Sequence, residues 1–159
     1  MTVLGIDPGF ERIGYGAVAR EGSRLALIEH GLITTLKGPL PDRLLQLHEQ
    51  VGGLIERIRP DALAIERLLF SVNRKTALDV AKALGCILLA GSQRGYLWAE
   101  YAPSEIKLAV VGNGAAEKKQ VEYMVMKLLG LHDAPKPDDV ADALAIALCH
   151  ALRGEAFKR

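Results

Sequence analysis

Long hydrophobic runs are missing from this chain of 159 residues. The most apolar stretch, 140–152, contains Asp142 and His150 and is shorter than the roughly 20 residues that a membrane span needs. The N-terminus has no basic segment and reaches Asp7 too early for a signal peptide. These absences exclude a membrane protein and predict a cytoplasmic one.

Cysteine and net charge are also low. Cys86 and Cys149 lie far apart and form no Cys-x-x-Cys pair, which excludes a disulfide framework and favours a reducing compartment. Lys and Arg number 20 against 19 Asp and Glu, for a formal net charge of +1. Taken alone, this balance argues against a strongly basic nucleic-acid-binding protein. The 50% share of apolar residues argues against disorder.

No repeat or linker divides the chain, which predicts one domain over 1–152 and a short polar tail over 153–159. Apolar periodicity favours a helix after Pro41 that has Asp42 as its N-cap and ends before Pro60. The other predicted elements are strands at 3–6, 14–19, 25–35, 62–65 and 96–101, and helices at 73–92, from 104, from 117 and at 138–152. This order predicts an α/β fold with a mixed five-stranded sheet: three antiparallel strands come first, parallel strands follow, and helices cover both faces.

Two acidic residues stand where apolar strands end. Asp7 and Glu66 each follow a short apolar run, and a carboxylate there loses hydration unless a positive charge meets it. In mixed α/β sheets, ligands gather at the carboxyl ends of the strands. Two structural roles compete: Asp7 could shape a turn before Pro8, and Glu66 could pair with Arg67.

The last helix adds two more acids, Asp139 and Asp142. Residues three apart lie on one helix face, so both carboxylates can point at the same place, while Asp138 fits a capping role at the helix start. Four convergent carboxylates repel one another and need cations. Ligand sets made only of oxygen suit Mg²⁺ or Mn²⁺, as in two-metal phosphoryl hydrolysis.

Five motifs recur in order along the chain: Gly5-Ile6-Asp7-Pro8-Gly9, Arg12-Ile13-Gly14-Tyr15-Gly16, Ile65-Glu66 with Phe70 and Asn73, Val110-Val111-Gly112-Asn113-Gly114 with Glu117-Lys118, and Asp139-Val140-Ala141-Asp142-Ala143-Leu144-Ala145. In these motifs, from about Val3 to His150, the chain resembles the RuvC-type Holliday-junction resolvases, in order and at the family's spacing.

This resemblance implies an RNase H-like fold and a homodimer formed through the helix after Asn73. It also implies symmetric nicking of four-way DNA junctions, with two Mg²⁺ ions per site or Mn²⁺ in their place, giving 5′-phosphate and 3′-hydroxyl ends. RuvA and RuvB are the branch-migration partners that it implies. By position, the residues that match the family's acidic quartet and its active-site lysines are Asp7, Glu66, Asp139, Asp142, Lys107 and Lys118.

The DNA contacts are predicted between residues 67 and 127, where nine basic residues against five acidic ones leave a surplus of four. Where the family commonly has an aromatic wedge, this chain has Leu69, with Phe70 next, and either residue could enter the opened junction or pack in the core. The basic residues predicted to bind DNA are Arg74, Lys75, Lys107, Lys118 and Lys119.

Two alternatives remain open at this point. YqgF-like proteins also begin with Gly-x-Asp-x-Gly and are associated with RNA processing, whereas a junction-binding module would not cut at all. The ending from Asp139 to Ala145 favours the resolvase, and the complete quartet argues against the module. Setting the four acids aside leaves a surplus of five basic charges, so the near-neutral total is compatible with DNA binding.

Overall fold

The computed structural model describes residues 1–68 and 74–154, excluding the side chains of 74–76. The described residues form the elements β1 (Thr2–Asp7), β2 (Arg12–Glu21), β3 (Arg24–Thr34), α1 (Leu40–Ile58), β4 (Ala62–Glu66), α2 (Arg74–Gln93), β5 (Trp98–Tyr101), α3 (Pro103–Val111), α4 (Lys118–Leu128) and α5 (Asp138–Arg153). In this part of the chain, no helix is both long and apolar enough to span a bilayer.

The five strands form one mixed sheet in the order β3-β2-β1-β4-β5. The pairs β1–β2 and β2–β3 are antiparallel, while β1–β4 and β4–β5 are parallel. This confirms the predicted mixed five-stranded sheet, with antiparallel strands first and parallel strands after them. Ile6 pairs with Ile65, so the carboxyl ends of β1 and β4 lie side by side at the same sheet edge.

Helices cover both faces of the sheet, as predicted. Because side chains alternate along a strand, β1 and β4 each contribute to two separate cores. Val3 and Ala64 pack with α3, α4 and α5, whereas Leu4 and Ile65 pack with α1 and α2. We call these the α5 face and the α2 face. The next side chains on the α5 face are those of Asp7 and Glu66.

Helix α5 lies directly against the sheet because glycines face it. A Cβ on Gly5 would collide with the carbonyl oxygen of Ala143, and one on Gly14 would collide with that of Asp139. Glycine leaves the space that the helix backbone fills. The strands β1 and β2 therefore fix the first turns of α5 beside the end of β1.

Two predicted boundaries were wrong. Helix α1 begins at Leu40 with Pro39 as its N-cap, so Asp42 lies in the first turn and is not the cap. Proline is tolerated in the first turn because no helical acceptor is available for an N–H there. Strand β5 begins at Trp98 because the N–H of Tyr96 is still bonded to the Gly91 carbonyl at the end of α2.

Candidate active site

Four carboxyl groups meet at one end of the sheet. Asp7 and Glu66 end the neighbouring strands β1 and β4, and Asp139 and Asp142 lie on the first turns of α5 above them. Their charges are close enough to interact: Asp142, Glu66 and Asp139 all raise the pKa of Asp7. The structure thus brings together the four acids that the sequence predicts.

Burial and like charge make these acids hard to ionise. Burial first, and then the negative charges of Asp142, Glu66 and Asp139, raise the pKa of Asp7 to about 8 from an ordinary 3.8. The pKa of Glu66 is raised by burial and by Asp142, while Lys107 and Lys118 oppose the rise. Within the described residues, neither Asp7 nor Glu66 forms an ion pair or side-chain hydrogen bond, so the alternative in which Glu66 pairs with Arg67 is not observed. The lysines therefore offset only part of the effect of burial and repulsion on the two strand acids.

Asp139 has one positive neighbour. The guanidinium of Arg12, at the start of β2, lies 3.3 Å from Oδ2 of Asp139. That oxygen is buried and accepts no hydrogen bond among the described residues. The contact with Arg12 is therefore an ion pair that includes no hydrogen bond. Arg12 belongs to a motif noted in the sequence, but its pairing with Asp139 was not predicted.

Lysines form the opposite wall of the site. Lys107 on α3 and Lys118, the first residue of α4, line a cleft of about 220 Å³ together with Glu66 and Asp142. The ammonium of Lys118 lies 2.8 Å from a carboxylate oxygen of Asp142 and 2.8 Å from one of Asp138. Burial opposes its charge, but these two hydrogen bonds hold the pKa of Lys118 above its usual range.

Asp138 and Asp139 are clearly distinguished. The side chain of Asp138 is 54% exposed and pairs with Lys118. The side chain of Asp139 is 24% exposed, and its charge raises the pKa of Asp7. Asp138 is the first residue of α5 and Pro137 is the N-cap, so the capping role predicted for Asp138 is wrong in position. Its spacing of four from Asp142 is the one sequence signal that could have indicated a shared partner.

The predicted DNA-binding residues are less completely placed. Lys119 is exposed and lines a separate shallow groove with Gln120 and Tyr123. Leu69 and Phe70 lie outside the described residues, and the same holds for the side chains of Arg74 and Lys75.

The donor set suits a hard divalent cation. It consists of carboxylate oxygens, and because burial and like charge raise the pKa of Asp7 and Glu66, a bound cation would favour their ionised forms. As the side chains stand, no three His, Cys, Asp or Glu residues within the described ranges are arranged to hold one ion. In this arrangement the ammonium of Lys118 pairs with an oxygen of Asp142.

Comparison with known proteins agrees with this geometry. A model of the family "Crossover junction endodeoxyribonuclease RuvC" matches residues 3–150. The protein of that name from Chloroflexus aggregans is 48% identical over 100% of this chain and 98% of its own length. The Thermus thermophilus RuvC structure is 39% identical, has a TM-score of 0.90, and is matched over 97% of this chain and 95% of that one. A second structure, of T. thermophilus RuvC in complex with a Holliday junction substrate, is 36% identical with a TM-score of 0.88 over the same shares.

The fold and these matches define an endonuclease with an RNase H-like α/β fold. Enzymes of this group are metal-dependent nucleases that act on branched DNA. The chain belongs to the RuvC family of crossover junction endodeoxyribonucleases, which resolves the choice against the YqgF-like and non-cleaving alternatives.

Proposed function

We propose that this chain resolves Holliday junctions in DNA recombination and repair by hydrolysing one phosphodiester in each of two opposed strands. Junction resolution is the activity of its family. The observation that carries the proposal is the cluster of four carboxyl groups, two of which, Glu66 and Asp142, line a cleft together with Lys107 and Lys118. Two such sites, related by a two-fold axis, would cut the junction symmetrically and leave 5′-phosphate and 3′-hydroxyl ends.

The carboxylates of Asp7, Glu66, Asp139 and Asp142 would hold two divalent ions, Mg²⁺ or Mn²⁺. When bound, such ions neutralise the acids, lower the pKa of water and stabilise a leaving oxygen. The protein supplies the fixed positions: two acids end adjacent strands, and two lie on a helix whose backbone contacts β1 and β2 directly. The raised pKa of Asp7 and of Glu66 supports this role, because bound cations would favour the ionised forms of these two acids.

The lysines would act on the DNA. Lys107 and Lys118 line the cleft on the side facing Glu66 and Asp142, where their ammonium groups would bind the scissile phosphate and the charge that develops on it. Lys119 would contact a neighbouring phosphate. Arg74 and Lys75 are proposed to do the same, and Leu69 or Phe70 is proposed to enter the opened junction.

Helix α2 supports a homodimer. Its outward side carries exposed Leu78, Ala81, Gly85 and Leu89, at helical spacing. A Cβ on Gly85 would meet nothing within 4 Å, so the helix backbone is open to close approach by a second helix. A two-fold dimer presents the same patch twice, which suits the two-fold symmetry of a junction.

The roles of RuvA and RuvB as partners stay proposals that rest on the family alone. The cytoplasm as the location likewise stays a proposal. The division into a domain over 1–152 and a tail over 153–159 likewise remains a proposal. Helix α5 continues to Arg153, with Gly154 as its C-cap.

The test is cleavage of a synthetic four-way junction by wild type and by Asp7→Asn, with Mg²⁺ or Mn²⁺. Wild type should nick opposed strands, and Asp7→Asn should lose about 1,000-fold or more in single-turnover rate while still binding the junction. Glu21→Gln is the matched control because it removes a carboxylate at the far end of the sheet. Metal-independent cutting, or full activity of Asp7→Asn, would contradict the proposed site.

A further inference from the structure

The ion pair between α4 and α5 places one cation between two acids of different kinds. Lys118 Nζ lies 2.8 Å from Asp138 and 2.8 Å from Asp142. The two acids are four residues apart, so they share one face of α5. Asp142 belongs to the buried cluster around Asp7, whereas Asp138 stands at the exposed rim.

This arrangement creates a conflict at Asp142. The proposed function assigns its carboxylate to a divalent ion, yet that carboxylate already accepts a hydrogen bond from an ammonium. Two cations on the same carboxylate repel each other, so the binding of the ion weakens or breaks the Lys118–Asp142 pair. How unfavourable that loss is depends on what other partner the ammonium keeps.

We propose that Asp138 is a positioning residue for Lys118: it keeps the ammonium when a divalent ion takes Asp142, and so eases the entry of the ion. With Asp138 present, Lys118 loses one of two carboxylate partners and stays at the rim of the cleft. Without Asp138, the ion must displace Lys118 from its last acidic partner. The proposal rests on the metal site of the proposed function.

Asp138 is better suited to this role than to that of a fifth metal ligand. Its side chain is more than half exposed, and its own pKa is lowered chiefly by the hydrogen bond from Lys118. Asp138 is not among the charges that shift the pKa of Asp7 or Glu66, whereas Asp142 raises the pKa of both. Asp138 therefore interacts with the lysine and lies outside the acid cluster.

Direct Mn²⁺ binding to the DNA-free protein tests the proposal, with free Mn²⁺ measured by electron paramagnetic resonance. The four proteins are wild type, Asp138→Asn, Lys118→Met and the double variant. We expect Asp138→Asn to weaken Mn²⁺ binding about fivefold. Lys118→Met should tighten it, because the competing cation is gone, and adding Asp138→Asn to Lys118→Met should change nothing further.

A simple charge effect gives a different result. If Asp138 merely attracted cations, its loss would weaken Mn²⁺ binding equally with and without Lys118, and the positioning role would be wrong. Unchanged binding by Asp138→Asn in the presence of Lys118 would also overturn it. Asp133→Asn, which removes an exposed acid from the loop before α5, is the charge-matched control and should leave binding unchanged.

Two further measurements separate this proposal from the one on which it rests. Asp7→Asn should abolish tight Mn²⁺ binding with or without Asp138; if it does not, the metal site itself is wrong. Asp138→Glu keeps a carboxylate that can reach Lys118 and should restore binding toward the wild-type level, whereas Asp138→Asn should not. If Asp138→Glu does not restore binding while Asp7→Asn still abolishes it, the positioning role of Asp138 is wrong and the metal site stands. Both residues are about half exposed, so the variants should fold, which unfolding curves would verify.

Discussion

The two faces of the sheet are packed in different ways. On the α5 face, Gly5 and Gly14 let the helix backbone touch the strands, and small residues such as Ala64 and Ala143 fill the contact. On the α2 face, large aliphatic side chains from the strands meet those of α1 and α2. A backbone contact fixes position more strictly than flexible side chains do. The acids are therefore placed by the face on which the helix backbone touches the strands.

The strongest test of this difference is Gly14→Ala. The added Cβ would collide with the carbonyl of Asp139 and push the start of α5 away from β2. We expect about a 100-fold loss of single-turnover cleavage, since a misplacement of about 1 Å has that effect on reacting groups. We also expect a loss of about 1–3 kcal/mol in free energy of unfolding.

The paired change on the α2 face is Ile55→Val, which removes one methylene from the buried side of α1. It should lower the free energy of unfolding by about 0.5–1.5 kcal/mol and leave cleavage unchanged. If both variants lose stability and activity in the same proportion, the two faces do not differ as we describe.

The second test concerns the outer side of α2. Leu89→Glu should convert a dimer to a monomer in sedimentation equilibrium, because a carboxylate buried against an apolar partner surface is strongly unfavourable. The matched control is Leu36→Glu, which changes another exposed leucine, in the segment after β3. A dimer that persists in Leu89→Glu would place the interface elsewhere.

The third test is the pH dependence of stability without divalent ions. With a folded-state pKa of about 8 for Asp7 and an ordinary value of 3.8, the native protein holds a proton that the unfolded chain releases between these pH values. Its stability therefore falls as pH rises through this window. In EDTA at pH 8, Asp7→Asn should melt several degrees above wild type, and at pH 4 the two should converge. Equal melting temperatures at pH 8 would show that Asp7 is not held protonated.

The smallest effect is expected at Lys119, which is exposed and outside the cleft. Lys119→Ala should weaken junction binding only about threefold and lower the slope of log affinity against log salt by about one. Arg24→Ala, at the far hairpin of the sheet, should change neither quantity. A large loss of cleavage rate in Lys119→Ala would instead show that this lysine takes part in the active site.

The mixed sheet and the meeting of the four acids could be predicted from the sequence, because both follow from short-range patterns. Apolar runs that end in Asp7 and Glu66 identify strands, and parallel pairing then places the two acids together. The contact of Gly14 with Asp139 could not be predicted in this way, because it depends on how closely a distant helix approaches. The pairing of Lys118 with Asp138 depends on the distance between α4 and α5, which no local pattern specifies.

The backbone contact between α5 and the sheet also determines which parts of the cleft can adjust. Asp7 ends β1, Glu66 ends the strand paired with it, and Asp139 and Asp142 lie on the helix whose backbone contacts β1 and β2, so we expect the four acids to keep a constant spacing. Lys107 and Lys118 belong to α3 and α4, which reach α5 through side-chain packing. We therefore expect a DNA strand of altered width or curvature to be accommodated by shifts of the two lysines.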